Sequence, residues 1–314
     1  MIRIGLVSID ISHPKAFVAI LNAEKRGRYV AVYNDGFRGD DEVESFIKNA
    51  GLECRVSSID ELAEMSDIGF IQGCNWDKHL DHAMPFINKG KPVFIDKPLV
   101  GNLVDCDRLK RLVQDGAVIL GSSATRYAEE IQDFLAQPVS ERGEIVHVYG
   151  TSGVDEFNYG IHIIEAFGGL LGAGAQTCRF CSRGIVGNNS AETFVVNYKS
   201  GILGTYTLLH GAWHEFTMTI MTTVKTVNFQ IDSSKLYKAL LDRICNFMET
   251  GVNTLASIDD QIESIKILLA GKVSRENKGM PVSLLDLPAF SPSYNGHEFE
   301  QAYAAVQSRN KIYL

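Results

Sequence analysis

The chain opens Ile2-Arg3-Ile4-Gly5-Leu6-Val7-Ser8-Ile9-Asp10-Ile11-Ser12-His13-Pro14. Arg3–Val7 is an apolar run of a strand's length. Ser12 followed by Pro14 reads as a helix start, because serine caps a helix and proline is preorganised for its first turn. The alternation then repeats. Strand-like runs at Arg3–Val7, Val30–Asn34, Ile68–Gln72, Val93–Ile95 and Val118–Gly121 are separated by helix-like segments near Lys15–Glu24, Asp41–Asn49, Ile59–Glu64, Asp77–Asn88 and Asn102–Gln114. Gly51, Gly90 and Gly116 stand where helices commonly end. Strands alternating with helices make βαβ units on a parallel sheet, so residues 1–122 are expected to form an α/β, doubly wound Rossmann domain that binds a nucleotide.

After Ser123 the texture changes. A strand is expected at Glu144–Tyr149, a helix at Tyr159–Leu171, and several strand-like runs from Thr177 to Ile231. Lys199-Ser200-Gly201 separates Glu192–Tyr198 from Ile202–Leu208 and reads as a hairpin turn. Two helices follow, near Ser234–Glu249 and Ile258–Ala270, the second led by Ser257 and Asp260 in the spacing of a capping box. Residues 123–314 are therefore expected to be an α+β domain on a largely antiparallel sheet, supplying a small-molecule site. A length of 314 residues suits two domains.

With 45% hydrophobic and 22% charged residues the composition is that of a soluble globular protein. A net charge of -8 argues against nucleic acid, whose affinity comes from clustered Lys and Arg. No run approaches the roughly 20 apolar residues of a membrane span, and none reads as a signal peptide. Six scattered cysteines suit reduced thiols in a cytoplasmic protein. Cys178 and Cys181 are the one close pair, while His79 with His82 and His210 with His214 have the spacing of solvated helix faces. No metal is expected.

The segment with chemistry in it is Val93-Phe94-Ile95-Asp96-Lys97-Pro98. Ligands of open α/β sheets bind beyond the carboxyl ends of the strands, which is where this strand delivers Lys97. Asp96-Lys97-Pro98 resembles the Glu-Lys-Pro motif of the glucose–fructose oxidoreductase, inositol dehydrogenase and MocA-like (Gfo/Idh/MocA) family. The resemblance continues along the chain. Gly73-Cys74-Asn75-Trp76-Asp77-Lys78-His79 is similar to the family's segment after its fourth strand, and Arg126-Tyr127 to its Arg-aromatic pair. Asn158-Tyr159-Gly160-Ile161-His162 resembles its Asp-x-Gly-x-His motif, and Ser257-Ile258-Asp259-Asp260 the start of a late helix.

The resemblance implies hydride transfer between NAD(P) and a hydroxyl-bearing carbon of a sugar or cyclitol. Lys97 would hydrogen-bond nicotinamide ribose and substrate hydroxyl, His162 would be the general base, and Asn158 would bind a substrate hydroxyl. Histidine suits that role because its pKa lies near working pH. The cofactor residues it implies are Ser8, Ile9, Asp10, Ser12, His13, Asn34, Asp35, Arg38, Cys74, Asn75, His79, Asp96, Lys97 and Arg126. Self-association through the second domain's sheet is also implied.

The chain departs from the family at three places. Ser8-Ile9-Asp10-Ile11-Ser12-His13 lacks the Gly-x-Gly-x-x-Gly glycines that let backbone approach a diphosphate, and Asp10 adds a carboxylate there. Asn34 stands at the usual acidic position, followed by Asp35, which favours NAD slightly, whereas Arg38 would serve NADP. Asn158 replaces the motif's Asp. These departures keep two alternatives open: a catalytically silent ligand-binding or regulatory protein, and an enzyme that recycles tightly held NAD during hydrolysis or elimination.

Overall fold

The structure is a computed structural model that describes residues 1–288 and 292–312, without side chains from residue 309 onward. Its first sheet contains β1 (Ile2–Val7), β2 (Gly27–Tyr33), β3 (Cys54–Arg55), β4 (Ile68–Ile71), β5 (Val93–Ile95) and β6 (Ile119–Gly121). The strands are parallel, in the order β3-β2-β1-β4-β5-β6. Between them run α1 (His13–Glu24), α2 (Asp40–Ala50), α3 (Ile59–Met65), α4 (His79–Asn88) and α5 (Leu103–Gln114). β4, β5 and β6 are buried throughout, as expected of strands covered by helices on both faces. The short edge strand β3 was not expected, since two residues carry no readable period. The order reverses between β1 and β4, and the crevice at that switch point is bounded by Ser8–His13 on one side and Gly73–His79 on the other.

The chain leaves the first sheet through α6 (Glu129–Ala136) and α7 (Val139–Arg142). The second sheet contains β7 (Ile145–Val154), then, after α8 (Gly160–Leu171), β8 (Ala175–Val186), β9 (Asn189–Tyr198), β10 (Leu203–His210), β11 (Thr217–Thr222) and β12 (Thr226–Gln230). Helices α9 (Ser233–Thr250) and α10 (Ile258–Glu276) precede its last strand, β13 (Val282–Ser283). The order is β12-β11-β7-β10-β9-β8-β13, and only β7 with β10 is parallel, so the sheet is largely antiparallel. The expected turn between β9 and β10 is present, with Gly201 at φ +87°. Ser257 and Asp260 form the expected capping box at the start of α10. Gly150 lets α8 lie close on the sheet, because a Cβ there would stand 2.5 Å from Ile163.

Like β3, the last helix has no counterpart in the sequence reading. Helix α11 (Gly296–Ile312) runs back from the second sheet to the first and lies over the crevice at its carboxyl edge. No helix among the described residues is long and apolar enough to cross a membrane.

Candidate active site

β5 ends by carrying Lys97 to the sheet edge, where it meets the residues that open α8. Lys97 Nζ donates to Asn158 Oδ1 at 2.8 Å and to the Asn158 carbonyl at 3.1 Å. Lys97 is buried, and that burial pushes its pKa down against the opposing pull of Asp96 and Asp155. His162 lies one turn along α8 from Asn158, and both line one cavity of about 170 Å³ with Lys97, Tyr159, Phe216 and Tyr237.

A chain of hydroxyls fixes the tautomer of His162. Thr125 Oγ1 donates to the His162 carbonyl at 2.6 Å, since a carbonyl only accepts. Its 2.7 Å contact with Ser123 Oγ must then use the serine proton. With that proton spent, Ser123 Oγ accepts from His162 Nδ1–H at 2.6 Å. His162 Nε2 thus carries a lone pair. Burial pushes the His162 pKa well below 6.5, helped by the positive charge of Lys97, so the ring is a neutral base.

His13, at the start of α1, lines the same cavity. Its Nδ1 is 2.7 Å from Asp96 Oδ2, which also accepts from Gln72 Nε2 at 2.9 Å, while Asp96 Oδ1 accepts from the Lys97 N–H at 2.8 Å. Burial would raise the Asp96 pKa, but His13 and Lys97 hold it at about 2. Asp96 is therefore ionised and His13 Nδ1 is the donor. The His13 ring is wedged between Phe17 and Tyr237. Sequence reasoning placed His13 and Asp96 on the cofactor; the structure joins them as a pair beside Lys97.

The nucleotide side of the crevice is closed by the protein's own groups. Ser8 keeps the left-handed turn conformation, φ +67°, but its Oγ donates to Asp35 Oδ1 at 3.3 Å. Asp35 also pairs with His82 at 3.1 Å and Lys78 at 3.4 Å, and despite burial these contacts, the His82 hydrogen bond foremost, hold its pKa at about 2. Asn34 is used locally, accepting from the Ile9 N–H and donating to the Arg38 carbonyl. Arg38 donates to the Asp10 carbonyl and pairs with Glu42.

Asp10 is only 1% exposed. Its Oδ2 accepts from the Cys74 N–H at 3.4 Å and its Oδ1 has no partner among the described residues. Gly36 packs so closely on this carboxyl that a Cβ would stand 2.1 Å from it. From α11, Glu300 accepts from Asn75 Nδ2 at 3.0 Å, Phe299 covers Trp76 with ring centroids 4.9 Å apart, and Tyr303 meets Phe37 at 5.9 Å. Ligand atoms of Asp10, Cys74 and Glu300 lie within 4.8 Å of one another, and burial pushes both the Asp10 carboxyl and the Cys74 thiol up.

This arrangement does not fit a dinucleotide while α11 is in place. The turn that would receive diphosphate presents the carboxyl of Asp10 with that of Glu300 from α11 beside it, and Asp35, the acidic residue next to Asn34, is already bonded to Ser8, Lys78 and His82. A larger crevice of about 740 Å³ remains open between α1 and α2, lined by Ile11, Ser12, Lys15, Arg38, Phe46 and Tyr303. Two expected cofactor residues sit elsewhere. His79 spans the Gly73 and Leu99 carbonyls and so ties the loops after β4 and β5 together. Arg126 forms a buried ion pair with Glu165 at 2.8 Å and lines neither the cavity at Lys97 nor the crevice between α1 and α2.

Residues 2–123 match a family described as an oxidoreductase family with an NAD-binding Rossmann fold. No curated relative matches the chain in sequence. Among solved structures, a probable dehydrogenase from Thermotoga maritima superposes with a TM-score of 0.79 at 15% identity, covering 91% of this chain and 100% of that one. Scyllo-inositol dehydrogenase from Lactobacillus casei, with bound NAD(H) and scyllo-inositol, gives 0.75 at 13% identity over 91% and 100% of the chains. GenD2 from gentamicin A biosynthesis, in complex with NAD, gives 0.75 at 14% identity over 90% and 96%. Identities this low establish a shared fold over the whole chain, while the likeness to the oxidoreductase family itself extends over residues 2–123, the domain built on the first sheet.

Proposed function

We propose that the protein is an oxidoreductase acting on a hydroxyl-bearing carbon of a sugar- or cyclitol-like polyol bound between Lys97 and His162. The observation that carries this reading is the convergence of Lys97, Asn158 and the free Nε2 of His162 on one cavity. His162 Nε2 accepts the hydroxyl proton, and the Lys97 ammonium, held by Asn158, donates to the same oxygen as negative charge develops on it. A nicotinamide cofactor, supported by the family match over residues 2–123, would accept the hydride in this reading and would gain the sheet edge only with α11 displaced. The bound inositol and NAD(H) of the Lactobacillus structure support the substrate class.

Incubation with NAD and a panel of cyclitols and aldoses tests the proposal through formation of reduced nicotinamide. Its formation with at least one polyol is expected. Polyol binding with no nicotinamide reduction in either the full chain or a chain lacking α11 would favour the second reading, a silent ligand-binding protein. The carboxyl of Asp10 and the cover of α11 are the observations on that side.

A further inference from the structure

The cavity holds more acid–base capacity than the oxidation of one hydroxyl requires. Two imidazoles reach it, each anchored at Nδ1 by a separate acceptor: Asp96 Oδ2 at 2.7 Å for His13 and Ser123 Oγ at 2.6 Å for His162. Both Nε2 atoms are left without a hydrogen-bond partner among the described residues. Lys97 lines the same wall and supplies an ammonium in a buried setting, where a donor acts most strongly on a developing oxyanion. All these groups lie apart from the Asp10–Cys74–Glu300 cluster that closes the nucleotide edge. The acid–base half of the site is complete with α11 seated, while the redox half is shut.

We propose that this cavity catalyses a redox-neutral proton transfer next to a carbonyl, on an α-hydroxycarbonyl sugar or a cyclitol ketone, with His162 and His13 as paired bases and Lys97 as the donor to oxygen. His162 Nε2 takes the proton from the carbon bearing the hydroxyl. The C–H electron pair becomes the C=C bond of an enediol, and the carbonyl π pair moves onto its oxygen, which Lys97 holds. His13 Nε2 carries the hydroxyl proton from one oxygen to the other, and the proton on His162 returns to the neighbouring carbon. The carbonyl has then moved by one position, no electrons have left the substrate, and both imidazoles are as they began. Return of the proton to the original carbon gives exchange with solvent instead.

The activity needs no dinucleotide, so its test is independent of nicotinamide reduction. The full chain, freed of nucleotide, is incubated in D2O with D-fructose, D-ribulose or 2-keto-myo-inositol, and proton NMR follows the C–H signal beside the carbonyl. Loss of that signal above the buffer rate is expected for at least one probe. His162→Gln and Lys97→Met should each slow it by ~10²-fold or more. His13→Gly should slow it similarly and recover in part when free imidazole is added, which a purely structural histidine would not show. No exchange with any probe by the folded full chain overturns the proposal. So does exchange undiminished in His162→Gln, or a folded His13→Gly variant that keeps the full rate. Should His13→Gly not fold, His13→Gln takes its place under the same criterion.

Discussion

Lys97 and His162 line one cavity, and under the proposed function each has a distinct chemical signature when removed. Lys97→Met should lower polyol turnover ~10²-fold or more with little change in thermal unfolding, because it removes one positioned donor. His162→Ala should lower kcat by ~10²–10⁴-fold while KM changes far less, as expected for a base and not a binding group. Steady-state kinetics on purified variants checks both, and wild-type turnover in either would return that residue to a packing role. Asn158→Asp sets a carboxylate against Lys97 Nζ. The new charge opposes the burial that pushes the Lys97 pKa down, so the ammonium should persist to higher pH and the alkaline limb of the rate profile should move upward. An unmoved limb would contradict the contact. Lys97, Asn158 and His162 were legible in the sequence because a strand end and a helix start fix their places locally. The His13–Asp96 pair was not, since it joins residues 83 apart in sequence. The Arg126–Glu165 pair was not legible for a related reason: an Arg-aromatic pair reads the same whether the guanidinium faces a ligand or, as here, a carboxylate 39 residues on.

Among the elements, the α/β alternation and the β9–β10 hairpin follow from period and turn chemistry, and the structure reproduces them. Helix α11 does not announce itself. Phe299, Tyr303 and Val306 make a thin apolar stripe amid Glu, Gln and Ala, and what they cover is set by residues more than 200 positions earlier. The contact has a pH signature. Burial raises the folded pKa of Asp10 above its ordinary value of 3.8, with Glu300 adding to the rise. A raised pKa means that Asp10 contributes stability while protonated, fully below its unfolded pKa, and loses that contribution as pH rises through the folded value. At neutral pH the ionised carboxyl is therefore a liability. Asp10→Asn should raise Tm at neutral pH, with the gain shrinking toward pH 4, as scanning calorimetry across that range would show. A Tm lower than wild type at neutral pH would contradict it.

At the scale of the whole molecule, the first sheet presents its switch-point edge to α8 and α9, and the cavity lined by Lys97 and His162 forms where they meet. The second sheet leaves an apolar row exposed, Leu203 and Met221 flanking His147 across β10, β7 and β11. Self-association through this face predicts that Leu203→Glu with Met221→Glu gives a smaller species than wild type in sedimentation velocity; identical sedimentation would remove the face from consideration. The central claim is that the substrate pocket stands complete while α11 shuts the nucleotide edge. Its most direct test is titration of NADH, followed by nicotinamide fluorescence, into the full chain and into a chain ended after Asn295, each shown to be folded by its thermal transition. The account predicts that the shortened chain binds NADH at least roughly tenfold more tightly, a difference of about 1.4 kcal/mol. Equal affinity in the two chains, or binding weakened by the loss of α11, would contradict it.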